Sequence, residues 1–168
     1  KAGFSQSYTY FTWRNAKWEL QQYLEELVSP PMVHYFRGNF FANTPDILTE
    51  VLQKGGRPAF KMRLVLAATL SSVYGIYSGY ELCENQAREP GSEEYLDSEK
   101  YQYKFRNWNQ PGGIQDFIAK INHIRGEHPA LQEYRNLRFL YSRNSQILCY
   151  AKTTRDLSDI IVVCVNLD

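Results

Sequence analysis

The sequence carries almost no net charge. Its 19 Lys and Arg stand against 18 Asp and Glu, a formal balance of +1, with no basic block. The electrostatic footprint of a nucleic-acid-binding surface is therefore missing, and no nucleic-acid partner is expected. Long apolar runs are missing too: residues 64–68 and 160–165 are the longest, far short of the roughly 18 to 20 residues of a membrane span. Cysteine is sparse and odd in number: Cys83, Cys149 and Cys164. That excludes a disulfide framework and points to buried free thiols in a reducing cytoplasm. Histidine is equally sparse. His34, His123 and His128 have no ligand-like spacing with Cys or carboxylates, so no metal is expected and all three read as structural or surface residues. No Gly-rich phosphate cradle is present, Ser5-Gln6-Ser7 is not a nucleophile elbow, and no cofactor is implied.

Aromatic residues are what the chain has in quantity, with 13 Tyr, 9 Phe and 3 Trp. Tyr-rich surfaces arise from core packing with the hydroxyl outward, or from sugar-binding clefts where ring faces meet C–H groups. Composition favours packing. With 43% hydrophobic and 22% charged residues the chain is globular in type. It begins with Lys and stops just after a strong strand signal, so a piece of a longer protein is expected.

Residues 6–13 are β-branched and aromatic and read as a strand. Asn15 can cap a helix with Trp18, Leu20, Tyr23, Leu24 and Leu27 at helical spacing, ended by Pro30-Pro31. A short strand at 40–42 follows, then a helix from about Ala59 to Leu70 that is apolar nearly all round and so buried on several sides. Residues 73–78 read as a strand, 80–113 as a long loop, and 114–125 as a helix. Residues 137–141, 146–152 and 160–166 are strands separated by turns. Alternating strands and helices predict an α/β fold with parallel β/α units, and the all-strand tail predicts a second domain. Three units fit only the last part of a TIM (β/α)8 barrel, which takes about 250 residues in full. The expected division is residues 1–130 for the barrel piece and 131–168 for the first strands of a β-domain.

In such a barrel the strand ends near 13–14, 43–46 and 78–81 share one face, where active sites are built. The run Asn39-Phe40-Phe41-Ala42-Asn43-Thr44-Pro45-Asp46 delivers a carboxylate, Asp46, to one of these ends. The same residues make an ordinary turn or helix cap. The loop 80–113 leaves from that face and carries Lys100 beside Tyr101 after four acids. A donor and a ring edge suit sugar hydroxyls, although a solvated acidic loop has the same composition.

Five motifs in order sharpen this. Asn43-Thr44-Pro45-Asp46-Ile47-Leu48, Gly55-Gly56-Arg57-Pro58-Ala59-Phe60, Leu66-Ala67-Ala68-Thr69-Leu70-Ser71, Gly79-Tyr80-Glu81-Leu82 and residues 91–101 together resemble the bacterial, maltosyl-transferring enzymes of the α-amylase superfamily (glycoside hydrolase family 13). The resemblance runs the whole chain, from the sixth barrel strand through the eighth into a C-terminal β-sandwich domain. It implies a retaining transfer of maltosyl from α-maltose 1-phosphate to the non-reducing end of an α-1,4-glucan, releasing phosphate. It makes Asp46 the third carboxylate, which stabilises the transition state. Lys100 and Tyr101 become contacts to the non-reducing glucose of the maltosyl unit. The nucleophilic Asp and the acid/base Glu are expected upstream of Lys1, so the piece alone should be inactive. The resemblance further implies a homodimer for the whole protein and no metal in this part. Pro45 stands where ordinary amylases carry His, which speaks against plain hydrolysis. An amylase-like hydrolase, a trehalose-forming isomerase and a non-catalytic glucan-binding protein are the alternatives.

Overall fold

The structure, a computed structural model, describes residues 5–100 and 102–168. Strand β1 (Ser7–Tyr8) is followed by helix α1 (Lys17–Val28), the short helix α2 (Met32–Tyr35), β2 (Gly38–Phe41), α3 (Glu50–Leu70) and β3 (Val73–Gly75). After a long loop come α4 (Gln115–Glu127), α5 (Pro129–Gln132), β4 (Leu137–Leu140), β5 (Ile147–Thr153) and β6 (Ile160–Asn166). The first three strands form a parallel sheet in the order β1-β2-β3, and the last three an antiparallel sheet in the order β4-β5-β6. Parallel pairing holds Ser7 opposite Gly38 and Phe41 opposite Gly75. Helical crossovers connect the parallel strands, and an antiparallel meander follows them.

Several local expectations are corrected. Strand β1 stops at Tyr8, and Tyr10–Trp13 turn into a 3-10 helix, with the Thr9 side chain accepting the Phe11 N–H at its start. Phe11 is driven inward, where it stacks on Phe40 at 4.5 Å; that burial overrides the β-propensity of the run. Helix α1 is capped at Ala16, not Asn15. The reason is Glu19, whose Oε2 accepts the backbone N–H of Asn15 at 3.2 Å and of Ala16 at 3.0 Å. The carboxylate thereby satisfies two backbone donors at the helix start. Leu20, Leu24 and Leu27 form its buried face, while Trp18 points outward and is 66% exposed.

Helix α3 starts nine residues earlier than predicted, at Glu50, and is broken at Gly56 (φ 54°, ψ −157°). A side chain there would be strained. Pro58 sits in the first turn after the break, where its missing N–H costs no helical bond. From there Phe60, Leu64, Leu66, Ala67, Ala68 and Leu70 are all buried, as the all-round apolar pattern predicted. The extra helix α5 begins at Pro129, where the Ala130 N–H and the His128 ring both bond the Asp159 carboxylate. That carboxylate is held below its ordinary range, chiefly by the Ala130 N–H. Cysteine burial also differs from expectation: Cys164 is exposed, and Cys83 and Cys149 are half-buried.

The antiparallel sheet packs one face on the helices. Leu137, Leu148, Tyr150 and Val165 join the same buried cluster as Phe40, Leu64 and Leu70. The Tyr150 hydroxyl meets Thr69 Oγ1 at 2.5 Å. Two cations are buried in the packing, Arg63 between α3 and the 3-10 turn and Lys152 under the antiparallel sheet. Arg63 donates to the carbonyls of Arg14 and Phe11 at 2.7 and 2.9 Å and lies 4.2 Å from the Phe11 ring centroid. Lys152 donates to the Glu133 carbonyl at 2.6 Å. No helix among the described residues is long and apolar enough to cross a membrane.

Candidate active-site rim

The rim forms where β2 ends. Buried Asn43 pins the chain at that point: its side chain donates to the Tyr95 hydroxyl at 2.7 Å and accepts the Tyr77 N–H at 2.8 Å. Asn43 thus ties the end of β2 to the segment leaving β3 and to the long loop. Thr44 and Ile47 exchange backbone hydrogen bonds at 3.2 Å, closing a tight turn that thrusts Asp46 outward. The Asp46 side chain is 56% exposed.

The long loop is laid along this turn by its own backbone. The Leu48 N–H donates to the Glu93 carbonyl at 2.6 Å, and the Tyr95 N–H to the Pro45 carbonyl at 3.3 Å. Trp13, at the end of the 3-10 turn, donates its indole N–H to Glu93 Oε2 at 2.8 Å. Lys100, carried around by the loop, places Nζ 2.5 Å from Asp46 Oδ1 and 3.9 Å from Glu94 Oε1. Two candidate residues 54 positions apart in sequence therefore meet. Tyr101 lies outside the described residues.

A cluster of paired charges fixes the loop below the rim. Gly79 takes a left-handed φ of 92°, and the Glu84 carboxylate lies where its Cβ would be, which leaves only glycine able to turn here. Glu84 receives Arg106 at 2.8 Å and Lys104 at 3.1 Å, and Arg106 also reaches Glu99 at 3.0 Å. Arg106 is almost wholly enclosed, with 2% side-chain exposure. Burial works against its charge, but the bonds to Glu84 and Glu99 more than reverse that and hold it firmly protonated. Glu99 is correspondingly held below the ordinary carboxylate range: burial opposes, and the Arg106 bond prevails. Burial pushes the Tyr95 hydroxyl well up, so it stays protonated and acts as the fixed partner of Asn43.

Not every rim candidate converges. Arg14 turns its guanidinium over the Tyr23 ring, 5.4 Å from the centroid, and helps line a hollow of about 180 Å³ with Trp18, Gln22 and Glu26. Tyr103 and Phe105 project into solvent at 94% and 99% exposure, whereas Tyr95 is buried. A second hollow of about 290 Å³ runs under the loop between Glu84, Asn85, Lys104 and Gln110. Asp46 and Lys100 line neither hollow. Among the described residues no group of three or more His, Cys, Asp or Glu is arranged to hold a metal. The sequence reading missed Asn43, Tyr95 and Arg106 as the parts that position the rim. An Asn directly at a strand end was the available signal for the first; nothing local marks the others.

Chemically, an exposed carboxylate beside an ammonium, on a turn braced from three sides, offers acceptors and donors to the hydroxyls of a polyol. The brace matters because hydrogen bonds that strengthen in a transition state need partners that do not have to reorganise.

No family model matches the chain. Over all 168 residues it is 64% identical to the α-1,4-glucan:maltose-1-phosphate maltosyltransferase of Rhodospirillum rubrum, of which it covers 24%. It is 55% identical, again over its full length, to the enzyme of that description from Myxococcus xanthus, covering 25% of it. The chain thus spans about a quarter of the curated relatives it matches. Among solved structures, a γ-CGTase from an alkalophilic Bacillus clarkii superposes with a TM-score of 0.64 at 16% identity, over 94% of this chain and 21% of that one. An Anoxybacillus α-amylase gives 0.64 at 15% identity, over 90% of this chain and 31% of that one. The fold of this stretch is that of α-amylase-family proteins, and the chain is a whole-length relative of one part of the maltosyltransferases.

Proposed function

We propose that the chain is part of a retaining maltosyltransferase that moves maltosyl from α-maltose 1-phosphate to the non-reducing end of an α-1,4-glucan, releasing phosphate. The carrying observation is the 64% identity that runs unbroken over 168 residues. In this reading β1, β2 and β3 are the sixth to eighth strands of a TIM barrel in residues 1–130, and β4–β6 open a β-sandwich domain in residues 131–168. The whole protein works in the cytoplasm as a homodimer.

Asp46 is assigned the role of third carboxylate. Its oxygens accept hydroxyl protons of the sugar in the reacting subsite. Those bonds tighten as positive charge develops at the anomeric carbon, so they favour the transition state over bound substrate. Lys100 and Tyr101 hold the second sugar of the maltosyl unit. The nucleophile and the acid/base are assigned to no residue of this chain.

The experiment uses the complete protein that carries this segment. Phosphate release from α-maltose 1-phosphate and elongation of a malto-oligosaccharide are measured for wild type and Asp46→Asn. The expected loss in kcat is about 10²–10³-fold, the size typical of a removed transition-state hydrogen-bonding group. Unchanged turnover by Asp46→Asn would remove the assigned role. Free maltose without elongation would replace transfer by hydrolysis, and glucan binding without turnover would replace it by a scaffold.

A further inference from the structure

The outward face of the antiparallel sheet carries a feature that the maltosyl reading does not use. Cys149 on β5 and Cys164 on β6 are direct cross-strand partners. Their place in the ladder can be read from its ends. The Thr154 N–H donates to the Asp159 carbonyl at 3.0 Å, and the Leu167 N–H to the Gln146 carbonyl at 2.8 Å. Both are hydrogen-bonded positions of an antiparallel pair, which alternate along the strands. Counting by two from either end makes 152/161, 150/163 and 148/165 hydrogen-bonded pairs. Cys149 and Cys164 therefore form a non-hydrogen-bonded pair, where side chains stand closest and Cα atoms are about 4.5 Å apart. That spacing falls within the roughly 4.4–6.8 Å a disulfide spans. The Cys149 thiol already donates to the Cys164 sulfur at 3.0 Å. The alternation of burial along β5 puts Tyr150 and Lys152 inward and Cys149 outward, and Cys164 is exposed.

We propose that Cys149 and Cys164 are a reversible dithiol–disulfide site, closed by a small-molecule disulfide such as oxidised glutathione. Cys164, the more exposed, attacks first. Its thiolate forms a bond to one sulfur of the small disulfide and expels the other as a thiolate, leaving a mixed disulfide on Cys164. Cys149 then loses its proton and attacks the Cys164 sulfur, expelling the second small thiolate. Two protein thiols and one small disulfide become one protein disulfide and two small thiols, so electrons and protons balance. The order follows from the geometry: the hydrogen bond to Cys164 holds the Cys149 proton more tightly than in a free thiol, although the Lys17 charge acts the other way. Lys17 is kept nearby by the Ser142 and Asn144 carbonyls at 2.9 and 3.0 Å, at the turn between β4 and β5. Cys83, half-buried beneath the loop, serves as an internal control.

The test is independent of the catalytic reading. The complete folded protein is incubated with oxidised glutathione, remaining thiols are alkylated, and peptides are mapped by mass spectrometry. The expected product is a peptide pair joined through Cys149 and Cys164, lost on adding dithiothreitol, with Cys83 alkylated. In Cys149→Ser the reaction should stop at glutathione on Cys164. Separate glutathione adducts on both residues would overturn the proposal. So would alkylation of both after oxidation, or reaction of either only after unfolding.

Discussion

The loop beneath the rim and the seam under the antiparallel sheet both enclose cations, and they do so in opposite ways. In the loop, Arg106 is clasped by two carboxylates, Glu84 and Glu99, and its charge is reinforced. Under the sheet Lys152, and against the 3-10 turn Arg63, rest on backbone carbonyls and are weakened as bases: burial drives Lys152 down to about 7, with Arg125 adding repulsion, and Arg63 down to about 10. A paired charge fixes a loop that has little apolar surface of its own. A cation held only by carbonyls satisfies the ends of strands and helices at an electrostatic cost.

The largest expected effect is on the paired side. Arg106→Met leaves Glu99 and part of Glu84 enclosed without a counter-charge, and should cost about 3 kcal/mol in chemical denaturation at pH 7. The sign of the pH dependence follows from Glu99. Its folded pKa lies below the unfolded one, so the stability it adds is complete above the unfolded value and is lost as pH falls through the folded one. Denaturation midpoints between pH 3 and 7 should fall with acid in wild type and fall less in Arg106→Met. Equal curves would mean that the loop is held by something other than this clasp.

The seam should respond with the reverse sign. Lys152 is paid out of water for one carbonyl bond, so Lys152→Met should be neutral or stabilising by about 1–4 kcal/mol. The unfolded Lys, near its ordinary 10.5, binds a proton that the folded one releases above about 7. The penalty is therefore full below pH 7 and lifts as pH rises toward 10.5. Wild-type midpoints should rise between pH 7.5 and 9.5, and those of Lys152→Met should stay flat. A strongly destabilised Lys152→Met would make the two regions alike.

This contrast was only half legible in the sequence. Periodicity located α4 and the three strands of the antiparallel sheet, because their apolar residues face one packed side. It failed at residues 10–13, where aromatic residues that favour strands are wound into a 3-10 turn to bury Phe11. It also failed at Glu50, because the helix before Gly56 is short and half-exposed, and a double glycine reads as a start and not as a break. The strand-end Asp46 was visible, and so was Lys100, but their meeting depends on backbone bonds from Leu48 to Glu93 and Tyr95 to Pro45. Such pairing across 45 residues or more leaves no periodic trace. The seam cations were invisible for a related reason: a Lys in an alternating strand looks like any solvent-facing position.

A smaller effect would sharpen the role of the brace. Tyr95→Phe keeps the ring in place against Tyr77, 5.4 Å away, but takes the acceptor from the Asn43 amide. An unsatisfied buried donor should cost about 1–2 kcal/mol. Because Asn43 positions the Asp46 turn, the complete enzyme should also lose kcat more than it changes KM. Lost stability with unchanged kcat would confine Asn43 to packing.

The smallest stability change belongs to the residue expected to matter most for turnover. Asp46 and Lys100 are exposed by 56% and 37%, and a salt bridge that open to water contributes about 0–1 kcal/mol. Asp46→Asn keeps the shape of the side chain while turning one acceptor oxygen into a donor, and at so exposed a position its denaturation midpoint should lie close to that of wild type. Arg106→Met and Asp46→Asn then form a crossed pair: the first removes a charge that holds structure, the second a charge that the structure holds out. If Asp46→Asn destabilised as much as Arg106→Met, the rim carboxylate would be one more loop staple. If it left stability intact and abolished phosphate release, its exposure would be explained by the sugar it is turned out to meet.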